Sequence, residues 1–265
     1  MLSVVVAPWG GEPVFERAGG VPHDAASTMK VAVLAALHRA RADFGAPVAV
    51  VNSFVSRAGG RFANDPAWDS DPVPWTLLGG TAPLGLLAER MITHSSNLAT
   101  NLCLDRVGHE AVAEVWRRAG ATGSGSPRGI EDYPARDAGV HNRVTARDLV
   151  RLLQSLDGEP EVLGLLERNT FRVDLAAGLP PGTRVAFKNG WFPGVRHCAA
   201  LVRPDDCPPY LLAVCYTGPL ASGADGAAED PAARLLARVS AVVWARRHAV
   251  TRAAPAPPDP PGPAR

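Results

Sequence analysis

Two lysines stand in a chain that otherwise uses arginine. Of 27 basic side chains in 265 residues, only Lys30 and Lys188 are lysine. Arginine keeps its proton throughout the working pH range, whereas a buried ammonium can give one up. The positions that kept lysine are therefore the first to read for acid–base chemistry. Lys30 closes the stretch Ser27-Thr28-Met29-Lys30. Apolar residues recur at helical spacing after it, and residues three apart on a helix share a face. The Ser27 hydroxyl and the Lys30 amine can thus meet. An amine whose charge is disfavoured by burial can act as general base toward that hydroxyl. The start of a helix also supplies backbone N–H groups and a positive dipole end for a developing oxyanion. A lone Ser-x-x-Lys is a weak signal, arising by chance about once in ten chains of this composition.

Two further motifs follow. Ser95-Ser96-Asn97 stands 68 residues after Ser27 and offers a proton-passing hydroxyl and an amide that can hold a carbonyl. Lys188-Asn189-Gly190 stands 93 residues after Ser95 and reads as the end of a strand. A lysine there can fix a carboxylate, and a glycine lets a ligand approach the backbone. Alone, the second motif is an ordinary loop-and-cap sequence and the third an ordinary turn.

In this order the three motifs resemble those of the penicillin-recognising serine enzymes. The likeness runs from about residue 2 to 248 and is closest to the class A β-lactamase-like serine hydrolases. Leu87 to Gly108 resembles the helix around the family's second motif. Gly194, Arg196 and His197 follow the third motif as they do in its serine-hydrolase branch. The resemblance implies roles. Ser27 is the acylated nucleophile and Lys30 its base. Ser95 relays a proton to the leaving group. Asn97 holds a substrate amide, and Lys188 positions Ser95 and attracts a substrate carboxylate. Asn189 and Gly190 join the substrate-binding edge. The backbone N–H groups of Ser27 and Trp191 form the oxyanion hole.

Three departures accompany it. Ser96 stands where Asp is common, and Asn189 where Thr or Ser is usual. The loop from 128 to 143 lacks the Glu-x-x-x-Asn pattern that carries the deacylating glutamate of true class A β-lactamases. Glu131 lies 34 residues after Asn97, a suitable distance. Yet Asp132, Ala135, Gly139, Asn142 and Thr145 look more like the non-lactamase branch. Glu131 or Asp132 is the candidate for activating water. The competing reading makes both structural carboxylates paired with Arg128, Arg136 or Arg143. Without a water-activating base a β-lactam acyl-enzyme would hydrolyse slowly. An ester could still turn over with Lys30 serving both half-reactions.

These residues need elements to position them. Leu2–Ala7 and Pro13–Arg17 read as a hairpin, Ser27–Phe44 as a central apolar helix, and Val48–Val55 as a strand. Residues 56–82 read as a long surface loop. Helices are expected over Leu84–Ile92, Asn97–Val107, Ala111–Ala119, Thr145–Leu156 and Leu163–Asn169. Strands follow at Thr183–Lys188, Cys198–Arg203 and Tyr210–Tyr216, then a helix over Asp230–His248. Strands at both ends with helices between predict an α/β (α+β) fold of the β-lactamase/transpeptidase type. An antiparallel sheet is built from both termini, with flanking helices and an inserted all-α lobe. The α/β part covers about 1–50 and 183–252 and the helical lobe about 56–182, as one domain over 1–252. Residues 253–265 form an Ala/Pro-rich tail expected to be disordered.

Composition narrows the function. Hydrophobic residues make up 46% of the chain and net charge is +1. That is enough to bury a core and too little basic excess for phosphate neutralisation, so no nucleic-acid partner is expected. No apolar run reaches membrane-spanning length, and the amino terminus lacks a signal-peptide pattern, so a cytoplasmic location is expected. Cys103, Cys198, Cys207 and Cys215 read as free thiols, and no cofactor or metal is implied. His94 precedes the second motif and is expected near the site, and Trp68 and Trp75 are candidate pocket walls. The expected partner is a small-molecule acyl substrate: an ester, amide or β-lactam cleaved through an acyl-enzyme. The rival readings are a D,D-peptidase or transpeptidase, a biosynthetic acyl transferase, and a non-catalytic ligand-binding protein.

Overall fold

The structure, a computed structural model, describes residues 1–224 and 230–252. The expected tail at 253–265 lies outside the described residues. Five strands form one antiparallel sheet: β1 (Leu2–Pro8), β2 (Phe15–Arg17), β3 (Arg184–Phe192), β4 (Val195–Arg203) and β5 (Tyr210–Thr217). Their order is β2-β1-β5-β4-β3. The amino-terminal strand pairs along its whole length with β5, from Leu2 opposite Tyr216 to Pro8 opposite Tyr210. The sheet is therefore assembled from both ends of the chain, as expected.

Successive strand residues face opposite sides. Val5, Ala7, Ala199, Leu201 and Ala213 enter one core, shared with the helical lobe. Val4, Val6, Phe187, Ala200 and Leu212 enter a second core beneath the carboxy-terminal helices. Burial on both faces explains why β5 reads as an unbroken apolar run.

Nine helices complete the described residues. α1 (Lys30–Arg39) is buried from Lys30 through Leu37. A helix apolar all round belongs in an interior, and α1 packs against α3 (Asn97–Val107) and α4 (His109–Arg118). α2 (Leu84–Thr93) leads into α3. α5 (Tyr133–Asp137), α6 (Ala146–Gln154) and α7 (Pro160–Glu167) follow, with α6 on the sheet. α8 (Pro231–Ala245) and α9 (Arg247–Arg252) cover the other face. No described helix is long and apolar enough to cross a membrane.

Several element boundaries differ from the sequence expectation. The strand expected at Val48–Val55 is two short strands, Pro47–Ala49 and Phe54–Val55. Asn52 breaks the run by pairing both ends of its amide with the backbone of Asn64. α1 stops at Arg39 rather than Phe44, because Arg41 turns left-handed at φ 52°. Residues 56–82 contain the short strand Arg61–Phe62, two 3-10 turns, Pro66–Trp68 and Pro74–Leu77, and the start of the strand Thr81–Pro83. Lys188-Asn189-Gly190 lies inside β3, not at its end. The strand continues because Pro193-Gly194 closes a two-residue hairpin, with Gly194 at φ 86° in the place that demands glycine.

Candidate active site

Ser27 sits in one 3-10 turn, Ala26–Met29, that feeds α1. The turn is fixed from several sides. Asp24 accepts from the Ala26 N–H at 3.1 Å, and Thr28 Oγ1 donates to the Ala25 carbonyl at 2.6 Å. His197 Nε2 lies 2.9 Å from the Asp24 carbonyl. Ala26 itself is left-handed at φ 44°. β3 runs close beneath. A β-carbon at residue 190 would stand 2.5 Å from the Ser27 nitrogen and 3.0 Å from the Thr28 nitrogen. Only glycine permits that approach. Gly190 thus serves close packing between two backbones rather than opening space for a ligand.

Lys30 is fully buried on the same turn of chain. Its Nζ donates to the Ser95 carbonyl at 2.6 Å, to Asn97 Oδ1 at 2.8 Å and to Ser95 Oγ at 3.3 Å. Ser27 Oγ is not among these acceptors: the amine is turned toward the second motif. Burial lowers the Lys30 pKa to about 7, against the opposing pull of Asp69, Glu131 and Asp71. Lys188 is also fully buried, and its Nζ donates to Ser95 Oγ at 3.1 Å and to the Asn189 carbonyl at 3.0 Å. Burial, then the nearby Lys30, holds it well below the ordinary lysine value. Ser95 therefore carries a hydroxyl between two amines that resist charging together. Its backbone is left-handed at φ 58°, a strained conformation of the kind that collects at functional sites.

Asn97 joins this cluster to a carboxylate. Its Nδ2 donates to Glu131 Oε1 at 2.8 Å and to the Trp68 carbonyl at 3.1 Å. Glu131 Oε2 accepts from the Asp65 N–H at 2.7 Å, and burial raises the Glu131 pKa. Glu131 is left-handed too, at φ 64°. The two acidic candidates separate here. Asp132 is wholly buried, caps α5 and accepts from Ser56 Oγ at 2.6 Å and the Arg57 N–H at 2.9 Å. It is structural. Glu131 faces the site and takes no arginine partner among the described residues.

The third motif divides by strand phase. Lys188 and Gly190 face Ser95 and Ser27. Asn189 points the other way, wholly buried, donating to Asp174 Oδ2 at 2.9 Å and the Phe171 carbonyl at 3.0 Å. The expectation that Asn189 meets substrate is corrected: alternation along β3 takes its side chain to the opposite face.

Asp69 carries no signal in the sequence, and Arg196 only its place after the third motif. Asp69 Oδ2 accepts from Trp75 Nε1 at 2.9 Å, the Leu98 N–H at 2.9 Å and Ser96 Oγ at 3.1 Å. It anchors the second motif from the loop, and Ser96 in turn caps α3. Arg196 lies under Trp191, with its guanidinium carbon 5.4 Å from the ring centre, and donates from Nε to Asp174 at 2.6 Å. Asp is too common for Asp69 to announce itself without a partner in view. Trp75 packs in this network, whereas Trp68 walls the site; His94 borders no cavity at Ser27 and contacts Thr93 Oγ1 at 2.8 Å. All four cysteines are free thiols, Cys103, Cys198 and Cys215 buried.

Ser27 opens into two adjoining cavities. One, about 240 Å³, extends past Glu131, Tyr133 and Arg128. The other, about 190 Å³, extends past Ser95, Asp69 and Ser70. Trp68, Asn97, Trp191 and Phe192 border both. A substrate bound across Ser27 has one compartment on the carboxylate side and one on the double-lysine side.

This cluster on this sheet places the protein among the β-lactamase-like serine hydrolases. The chain belongs to the β-lactamase enzyme family, whose model matches residues 2–246. Solved structures share the fold. PBP-A is 20% identical with a TM-score of 0.73, over 94% of this chain and 90% of that one. The class A β-lactamase from Mycobacterium abscessus is 19% identical with a TM-score of 0.73, over 94% of each. A double mutant of the last common ancestor of Gram-negative bacteria (GNCA4) class A β-lactamase is 25% identical with a TM-score of 0.71, over 94% of each. No curated protein matches the chain in sequence.

Proposed function

We propose that the protein hydrolyses an ester, amide or β-lactam through an acyl-enzyme on Ser27. Ser27 Oγ attacks the carbonyl carbon and its proton passes to Lys30 Nζ. The tetrahedral oxyanion is held by the backbone N–H groups of Ser27 and Trp191. Collapse breaks the bond to the leaving group, which takes a proton through Ser95 Oγ. Water then gives a proton to Glu131 and attacks the acyl carbon; collapse breaks the bond to Ser27 Oγ, which takes that proton back from Glu131. The observation that carries this reading is Lys30. It is a buried amine with a pKa of about 7, hydrogen-bonded to the Ser95 hydroxyl that Lys188 also touches. A mutant of PBP-A, one of the fold's relatives, was solved as an acyl-enzyme with penicillin G, which makes a penicillin a reasonable first probe.

Glu131 is the residue we assign to deacylation. It is aimed into the cavity beside Ser27 by Asn97, so a base for deacylation is available despite the absent Glu-x-x-x-Asn pattern. The test compares Glu131→Gln with the parent protein on a chromogenic short-chain ester and on a fluorescent penicillin. Acylation should persist while release slows about 10²-fold or more, within the range general bases supply. Equal release rates in the two proteins would remove Glu131 from the mechanism.

A further inference from the structure

On the face of the sheet away from Ser27, β1, β2, α8 and α9 enclose a groove of about 440 Å³. Its walls come from two registers. On the sheet, Val6 stands opposite Phe15 and Val4 opposite Arg17, so Phe15 and Arg17 point the same way as the two valines. On α8, Arg238 and Val242 fall at i and i+4 with Val239 and Val243 beside them, and Arg246 caps the carboxy-terminal end of the helix. The floor is apolar. Phe15 is 53% exposed and Val242 is 58% exposed, so both present apolar surface to solvent at the groove. Contiguous apolar surface of this kind marks an interaction site.

The rim is cationic. Arg17, Arg238 and Arg246 all border the groove, and none forms an ion pair or side-chain hydrogen bond among the described residues. Some arginines elsewhere on the surface find carboxylates, Arg147 with Glu16 and Arg117 with Glu110 among them, whereas these three converge on one apolar groove with no carboxylate on its lining. Glu16 sits between Phe15 and Arg17 in sequence but faces the opposite side of β2, toward Arg147, so it does not neutralise the groove. Arg238 and Arg246 thus stand at separate points of the rim, one within α8 and one at its end. A second copy of this chain docked face to face would bring two such sets of guanidinium groups together, which opposes self-association.

We propose that this groove binds a long-chain carboxylate, the alkyl chain lying along Val4, Val6, Val239 and Val243 and the carboxylate meeting the arginine rim. The site is separate from Ser27 and does not depend on the hydrolase reading.

The test is calorimetric titration of the full chain, below micelle-forming concentration, with decanoate, decanol and decyltrimethylammonium. Decanoate should bind with a single site, at least tenfold tighter than decanol, and the cation should not bind. The triple variant Arg17→Gln, Arg238→Gln, Arg246→Gln changes exposed side chains only and should lose at least tenfold toward decanoate while keeping ester hydrolysis. Val239→Trp, which fills the groove, should abolish binding of both decanoate and decanol. Equal binding of decanoate and decanol, or decanoate binding untouched by both variants, would overturn the proposal. So would absence of decanoate binding, whether the chain instead sediments as a dimer that Val242→Glu dissociates or adheres only to anionic phospholipid vesicles.

Discussion

Lys30 is the residue on which the chemistry turns, and its environment dictates a pH profile. Burial disfavours the ammonium and brings its pKa to about 7. In the proposed mechanism the neutral amine accepts the Ser27 proton. The rate constant kcat/KM should therefore rise about tenfold per pH unit below 7 and flatten above it. Lys30→Arg keeps a charge but cannot give up its proton, and acylation should fall about 10²- to 10⁴-fold with the limb near pH 7 abolished. A profile that is flat from pH 5 to 8 in the parent protein would contradict the assignment. At this scale much was legible beforehand. Lysine is so scarce that Lys30 and Lys188 pointed to each other, and the structure brings both to Ser95. Asp69 was invisible because its type is abundant and only its three-dimensional partners distinguish it, and Arg196 was marked only by its place after the third motif.

At the scale of elements, the site depends on how closely β3 approaches the turn that carries Ser27. Gly190→Ala puts a methyl group 2.5 Å from the Ser27 nitrogen, and neither backbone can yield without moving the nucleophile. Stability should drop by about 1–3 kcal/mol, as overpacking in a core does, and ester turnover should fall more than tenfold in the protein that remains folded. Thermal unfolding and kcat measured on the same sample check both, and unchanged kcat would show that the approach is not needed. The β3 strand is also where sequence reading went wrong. Ending it at Lys188 freed Asn189 to be imagined in the pocket. Continuing it to Phe192 fixes the alternation and sends Asn189 to Asp174. The helices were legible to within a few residues because their apolar periodicity is long. The short strands between 47 and 62 were not, since their limits are set by one asparagine pairing with backbone twelve residues away.

Across the whole molecule, the two ends of the chain and the nucleophile turn are tied by buried histidines. His23 bridges Ser3 Oγ at 2.9 Å on β1 and Thr217 Oγ1 at 2.8 Å on β5. His197 accepts the Tyr216 N–H at Nδ1, 3.1 Å away, so Nε2 carries the proton toward the Asp24 carbonyl. Burial lowers the pKa of His23 to about 4 and that of His197 to about 3. Both are neutral in the fold and titrate near 6.5 when unfolded. Their contribution is complete above pH 6.5 and is lost as pH falls from there toward 4 and then 3. Each costs up to about 1.4 kcal/mol per pH unit in that window. Urea unfolding at pH 7 and pH 5 should differ by about 2–4 kcal/mol, and His23→Asn should shrink the difference. Equal stability at both pH values would mean that the histidines are not held neutral. Scale also explains why the architecture was predictable: strands at both ends of a chain with helices between have few ways to close one sheet.

The most direct measurement is the mass of the protein after reaction with a fluorescent penicillin, followed by peptide mapping, with Ser27→Ala alongside. One adduct per chain is expected, on the peptide that carries Ser27, absent from Ser27→Ala and longer-lived in Glu131→Gln. An adduct that maps to another residue, or that forms equally in Ser27→Ala, would contradict Ser27 as the acylated nucleophile.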